Sequence, residues 1–232
     1  MRLLTLLLAL LAAAPIAFGQ TFTEAASPFA ATVSGSRILF GASAADVNLD
    51  GRPDFYHPGR LYIQTDSLLF EDVLETARFE GPDGTEVFGG VFADADGDQF
   101  PDLYVEDFDV GSRVFRNRYG IRWDLAPQNN GIDMSAAQSQ GASWGDYDQD
   151  GDLDLFVGEE FGSNALFENL GNGRYRNAGL AAILNDRKSY GVAAADFDRD
   201  GDLDVYIAAC SSGDPAQSVN SLFRNEGDGT FV

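Results

Sequence analysis

The sequence predicts an all-β protein: a β-propeller of four-stranded antiparallel blades, with about four blades present as a partial, open propeller. Three observations carry that reading. An Asp-rich pattern recurs four times, its leading aspartates Asp46, Asp94, Asp146 and Asp196 standing at steps of 48, 52 and 50 residues. A fixed period of this length marks a repeat architecture. An aromatic pair eight residues apart follows each acidic stretch: Tyr62 and Phe70, Phe115 and Trp123, Phe167 and Tyr175, Phe223 and Phe231. The runs that leave the acidic stretches, DLYV from Asp102, DLFV from Asp154 and DVYI from Asp204, are short, β-branched or aromatic, and bounded by turn formers, which is strand chemistry.

Taken in chain order, residues 1–19 place Arg2 before an apolar run from Leu3 to Ala14, with the small residues Ala17 and Gly19 ahead of Gln20. This is the layout of a secretory signal peptide cleaved near Gly19, and the run is short for a membrane span. Residues 20–35 form an N-terminal segment, and the blades are expected at about 36–80, 84–130, 136–180 and 187–232. In each blade one strand enters the acidic loop, a second leaves it, and the aromatic pair marks the two strands of a hairpin. The hairpin turn is clearest in NLGNG from Asn169 and NEGDG from Asn225, where Gly and Asn tolerate the positive φ of a tight turn. Aligning these two hairpins pairs Tyr175 with Phe231 and Arg176 with Val232, so the sequence stops inside a fourth strand and further blades are expected beyond it. A WD-type propeller is disfavoured because Trp123 with Asp124 occurs once.

Composition narrows the function classes. Fifteen Lys and Arg against 37 Asp and Glu give a net charge of −22, a field that repels nucleic acid and anionic membranes and attracts cations. Of the acids 27 are Asp, and 17 of those fall within the four loops, so the charge is concentrated there. The one cysteine, Cys210, cannot form an internal disulfide, and the one histidine, His57, cannot build a His-rich zinc site. Cys210 lies in the apolar run YIAAC and reads as a small core residue, and His57 as a strand-end residue.

The loops themselves read as calcium sites. The third and fourth fit DxDxDGxxD without exception: Asp146, Asp148, Asp150, Gly151 and Asp154, then Asp196, Asp198, Asp200, Gly201 and Asp204. Calcium takes six to eight hard oxygens, and alternate carboxylates on a curled loop can converge on one ion. The sixth-position Gly turns the next carbonyl inward, which adds the backbone of Asp152 and Asp202, with Arg52 and Phe100 at the same place in the first two loops. The first loop supplies Asp46, Asn48, Asp50 and Asp54, and Asn48 keeps an oxygen but loses a charge. The second supplies Asp94, Asp96, Asp98 and Asp102, with Gln99 where the turn Gly is expected and Gly97 two places earlier. An EF-hand is excluded, because its twelfth-position Glu is replaced by His57, Val105, Val157 and Ile207. Up to four structural Ca2+ ions are therefore expected.

The stretches GASWGDYDQDGDLDLFVGE with NALFENLGNGRYRNAGL, and GVAAADFDRDGDLDVYIAA with NSLFRNEGDGTF, resemble FG-GAP or VCBS repeats. Such repeats are the blades of the integrin α-subunit propeller and of the cartilage acidic protein family with its bacterial secreted relatives. The resemblance covers about residues 36–232 and implies a calcium-bearing propeller, commonly seven-bladed, with the ions between the first and second strands of a blade. It implies no catalytic residue. The expected function is that of a secreted or cell-surface, non-enzymatic, calcium-binding repeat protein for adhesion to an extracellular protein or glycan. No nucleic acid partner and no transmembrane segment are expected. The alternative is the propeller domain of an extracellular polysaccharide lyase or other hydrolase. No GxSxG, GK-terminated glycine loop or HExxH is present, and only one Lys and one His could act as bases; an Arg and Tyr lyase site using Tyr119 or Tyr190 is conceivable but nothing in the sequence motivates it.

Overall fold

The computed structural model describes residues 41–58, 60–66, 69–73, 87–107, 111–120, 122–127, 130–132, 139–160, 162–171, 173–179, 188–209 and 219–232. The signal peptide, the N-terminal segment 20–35 and Cys210 lie outside the described residues. Among the described residues the strands fall into four antiparallel sheets in strict chain order. The first holds β1 (Ser43–Ala45), β2 (Asp54–His57), β3 (Arg60–Asp66) and β4 (Leu69–Asp72), and the second β5 (Val87–Ala93), β6 (Asp102–Asp107), β7 (Arg113–Arg118) and β8 (Arg122–Leu125). The third comprises β9 (Ser139–Gly145), β10 (Asp154–Glu159), β11 (Ala165–Asn169) and β12 (Tyr175–Asn177). The fourth holds β13 (Ser189–Ala195), β14 (Asp204–Ala209) and β15 (Ser221–Phe223). In this last sheet the fourth-strand position is taken by a single bridge, Asn225 to Phe231, with Arg224 and Val232 exchanging both backbone hydrogen bonds beside it. These are four-stranded blades in meander order, as the repeat predicts, and the acidic loops join first to second strands.

The aromatic pairs lie on third and fourth strands but not directly opposite one another. Trp123 pairs with Asn117 and Tyr175 with Asn169, so each second aromatic sits diagonally from Phe115 or Phe167 on one face of the hairpin, a spacing that aromatic rings still bridge.

The core lies between the blades rather than within any one of them, because a sheet buries both faces only when its neighbours cover it. The second strands show how the sequence divides its faces. In DLYV, Leu103 and Val105 pack with Tyr56 and Leu61 of blade one, while Tyr104 packs with Leu155 and Val157 of blade three. In DLFV, Phe156 turns the other way, to Val205 and Ile207 of blade four. A period of two thus supplies each interface from both sides. The first strands pass so close that a Cβ on Gly141 would stand 3.0 Å from the Cα of Gly191, which accounts for the Gly at position 141. No helix among the described residues is long and apolar enough to cross a membrane.

Candidate metal centre

Each acidic loop is organised by its own carboxylates before any ion is considered. The leading aspartate accepts two backbone N–H groups from across the turn: Asp46 from Asp50 and Gly51, Asp94 from Asp98 and Gln99, Asp146 from Asp150 and Gly151, Asp196 from Arg199 and Gly201. The fifth-position carboxylates of Asp50, Asp98, Asp150 and Asp200 accept the N–H of Arg52, Phe100, Asp152 and Asp202 at 2.9–3.0 Å. Asx turns of this kind curl the chain at short range.

Two positions in every loop are left-handed. The fourth residue has φ of 60° at Leu49, 75° at Gly97, 61° at Gln149 and 70° at Arg199, and the sixth has 85° at Gly51, 78° at Gln99, 96° at Gly151 and 104° at Gly201. The second loop therefore keeps the shape of the others. Its glycine has moved to the other left-handed position, and Gln99 bears the cost of about 1–2 kcal/mol that a side chain meets there.

The ninth-position aspartates Asp54, Asp102, Asp154 and Asp204 are fully buried. Asp154 accepts the N–H of Tyr147 at 3.0 Å and that of Asn169 at 2.8 Å, tying the loop's second residue to the blade's third strand. Asp54 does the same with Val47 and Gln64, and Asp204 with Phe197 and Asn225. Asp102 accepts only the N–H of Asn117, and its Oδ2 is buried with no partner, as is Oδ1 of Asp96. Burial pushes the Asp102 carboxyl up to about 7 and that of Asp154 up to about 6. Asp96 is raised too, first by burial and then by the charge of Asp98. Carboxylates held at such a cost in neutral water fit a cation, which would lower the penalty.

Three loops gather ligand atoms. Carboxylate oxygens of Asp94, Asp96 and Asp98, of Asp146, Asp148 and Asp154, and of Asp196, Asp198 and Asp204 lie within 4.8 Å of one another. In the third and fourth loops the fifth-position Asp150 and Asp200 stand outside these triads, and in the second loop Asp102 does. In the first loop, Asp46, Asp50 and Asp54 form no such triad. Asn48 donates to Asp50 at 3.2 Å, and the Arg52 guanidinium caps Asp50 at 2.5 Å. The side chain of Asp152 is exposed. The seventh position in each loop enters the candidate set through its carbonyl alone.

Sequence reasoning missed a second layer of residues. Asn117, Asn169 and Asn225 are buried at the end of the third strands of blades two, three and four. The Asn169 amide donates to Ala95 O of the preceding blade's loop and to Leu153 O of its own, both at 3.1 Å. Asn117 reaches Val47 O and Pro101 O, and Asn225 reaches Tyr147 O and Leu203 O, in the same way. Each Asn Oδ1 then accepts an N–H of the following turn, from Gly120, Gly171 or Gly227. The signal was present as an Asn two residues after the first aromatic, but it read as turn chemistry. At the opposite end of the blades, Ser139 and Ser189 at the starts of first strands bond Ser112 and Asn164 of the preceding blade. His57 ends β2 half-buried, its imidazole pKa lowered by burial and by Arg60.

Residues 146–207 match the family model of the FG-GAP-like repeat. No curated protein matches the chain. Among solved structures it is similar to a lectin from Agrocybe aegerita, described for specific recognition of non-reducing terminal N-acetylglucosamine, at 20% identity with a TM-score of 0.52. The match covers 82% of this chain and 50% of that one, so the chain spans about half the length of that structure. At this identity the likeness concerns the fold. Residues 146–207 carry an FG-GAP-like repeat, and the four sheets are blades of the β-propeller kind.

Proposed function

We propose that this FG-GAP-like repeat chain is an exported, calcium-binding and non-enzymatic propeller protein that presents its blades to an extracellular glycan or protein. The observation that carries the reading is the recurrence of three carboxylate triads at one place in successive blades, two of them with a buried ninth-position aspartate in the triad. A chance acidic surface does not repeat its ligand geometry every fifty residues. In such a site Asp146, Asp148 and Asp154, or Asp196, Asp198 and Asp204, would hold a hard divalent cation, which supplies the positive charge that these loops lack. The signal-peptide layout of residues 1–19 supports export, and the lectin-like fold supports a glycan as the partner.

Calcium would act on stability by linkage, since an ion bound only by the folded chain adds RT ln(1 + [Ca]/Kd). At a free concentration of about a hundred times Kd, one site contributes about 2.7 kcal/mol. Thermal melts of the mature chain in millimolar calcium and in chelator test the reading. A midpoint that rises by several degrees with calcium, and not with the same concentration of sodium, is the expected outcome. Superimposable melts, together with no heat in a calcium titration, would overturn it.

A further inference from the structure

The three triads differ in what stands beside them, and the difference comes from two positions on the third strand. Register places Phe115, Phe167 and Phe223 at one position, opposite Leu103, Leu155 and Val205. The residues flanking the latch asparagine are then Arg116 and Arg118 in blade two, Glu168 and Leu170 in blade three, and Arg224 and Glu226 in blade four. In blade two both guanidiniums reach the loop: Arg116 Nη1 lies 3.7 Å and Arg118 Nη1 3.8 Å from Asp96 Oδ2. Arg116 is fixed there by a 2.9 Å bond from Nη2 to Gly173 O, in the hairpin turn of blade three. Arg118 is shared with Asp124. In blade three the corresponding Glu168 adds negative charge to the neighbourhood of Asp148 and pairs with Arg176. In blade four Arg224 and Glu226 pair with each other.

The second loop is nonetheless built to take a cation. Asp102 is 1% exposed with an unpartnered Oδ2, and Asp96 keeps a buried, unpartnered Oδ1 on the side away from the arginines' target oxygen. It thus has free ligand oxygens and two resident positive charges at once. We propose that Arg116 and Arg118 set the calcium affinity of the blade-two loop, making it the weakest of the three triad sites and the one that holds its shape without calcium. The proposal rests on the calcium reading above. A divalent ion entering this loop meets two like charges at close range, and Asp96 must divide its charge between ion and guanidinium. Among the described residues no Lys or Arg forms an ion pair with a triad carboxylate of blade three or four, and Arg176, whose charge interacts with Asp148, is paired with Glu168.

The test is a calcium titration by calorimetry on the mature chain and on Arg118→Leu, which installs the residue found in blade three, with Arg118→Gln as a second variant that keeps a polar side chain. Asp94→Asn marks the step that belongs to loop two. In the wild type this substitution should remove the weakest step. In both Arg118 variants that same step should tighten by about tenfold, the effect of removing one unit charge a few ångströms from a divalent ion, while the other steps stay within twofold. In chelator the variants should melt below the wild type, a readout independent of binding. A weakest step unchanged or weakened in both variants, or one untouched by Asp94→Asn, overturns the proposal. A wild type that takes up no calcium at all overturns the parent reading instead.

Discussion

Truncating Asn169 to alanine tests whether the blades are fastened through side-chain amides. The native amide donates to Ala95 O and Leu153 O and accepts from Gly171 N, and it is 4% exposed. Ala95 O would keep a partner, because the Tyr175 hydroxyl also donates to it at 3.1 Å. The substitution therefore strands one carbonyl and one N–H. At about 1–2 kcal/mol for each group left without its partner, the expected loss is roughly 2–4 kcal/mol. For a chain of this size that is a fall in melting temperature of roughly 5–15 °C. Melts and urea titrations in saturating calcium read it. Asn177→Ala, which removes an exposed cap on Gly179 N, should cost less than about 1 kcal/mol. The rescue by Tyr175 makes the reasoning sharper: only together do Tyr175→Phe and Asn169→Ala empty Ala95 O, which outweighs the long 3.4 Å bond from the Asn169 amide to the Tyr175 hydroxyl that either change alone already breaks, so the double variant should lose more than the sum of the two single changes. An Asn169→Ala midpoint within a degree or two of wild type, or a strictly additive double variant, would refute the latch.

Two further outcomes follow from the loops and the core. Gly151→Ala places a Cβ in open space but at φ 96°, so its cost is backbone strain alone, about 1–2 kcal/mol by thermal melt; an unchanged midpoint would mean that the loop relaxes out of the left-handed region. Glu106 is buried on β6, and burial raises its carboxyl from 4.5 to about 7. Folded and unfolded chains both hold the proton below about pH 4.5. Between there and about pH 7 only the folded chain does, so stability falls as pH rises and levels off above 7. The total is about 3 kcal/mol. Glu106→Gln should remove this slope, and a wild-type minus variant difference that is flat from pH 4 to 8 would contradict the assignment.

What was legible in the sequence was the chemistry that repeats within a few residues. Carboxylates at alternate positions, left-handed glycines and diagonal aromatics are local devices, so their spacing predicts the loops, the hairpins and the blade order. The position of Gln99 shows where this reading stops. By residue type it looks like a broken turn, yet the backbone has two left-handed places and the glycine has merely exchanged one for the other. The asparagine latches were illegible for a different reason. Asn169 and Asn225 open the strings NLGNG and NEGDG, and each does cap its turn, so the local function hid the distant one. Their partners in the preceding blade are backbone carbonyls more than seventy residues earlier in the chain, and a carbonyl leaves no mark on sequence. The same holds for Ser189 meeting Asn164, and for the arginines over Asp96, whose partner is recognisable only once β7 lies beside the loop.

In the first and third loops the two layers join in one residue, Val47 or Tyr147. Tyr147 donates its N–H to Asp154, a member of the blade-three triad, and its carbonyl accepts the amide of Asn225 from blade four. Asn225 in turn gives its own N–H to Asp204 of the next triad. The order of donors and acceptors therefore runs from one carboxylate cluster through a backbone peptide to an asparagine and on to the next cluster. A cation that fixes Asp154 also fixes the peptide on which blade four is latched, so its effect extends beyond its own loop. Repeat proteins draw their stability from each unit and from each interface, and a single ion bound here would act on both. Loss of calcium should then loosen interfaces between blades before it melts the strands within them, which hydrogen exchange would report as early exposure of Tyr147 and Asn225 amides while β10 stays protected.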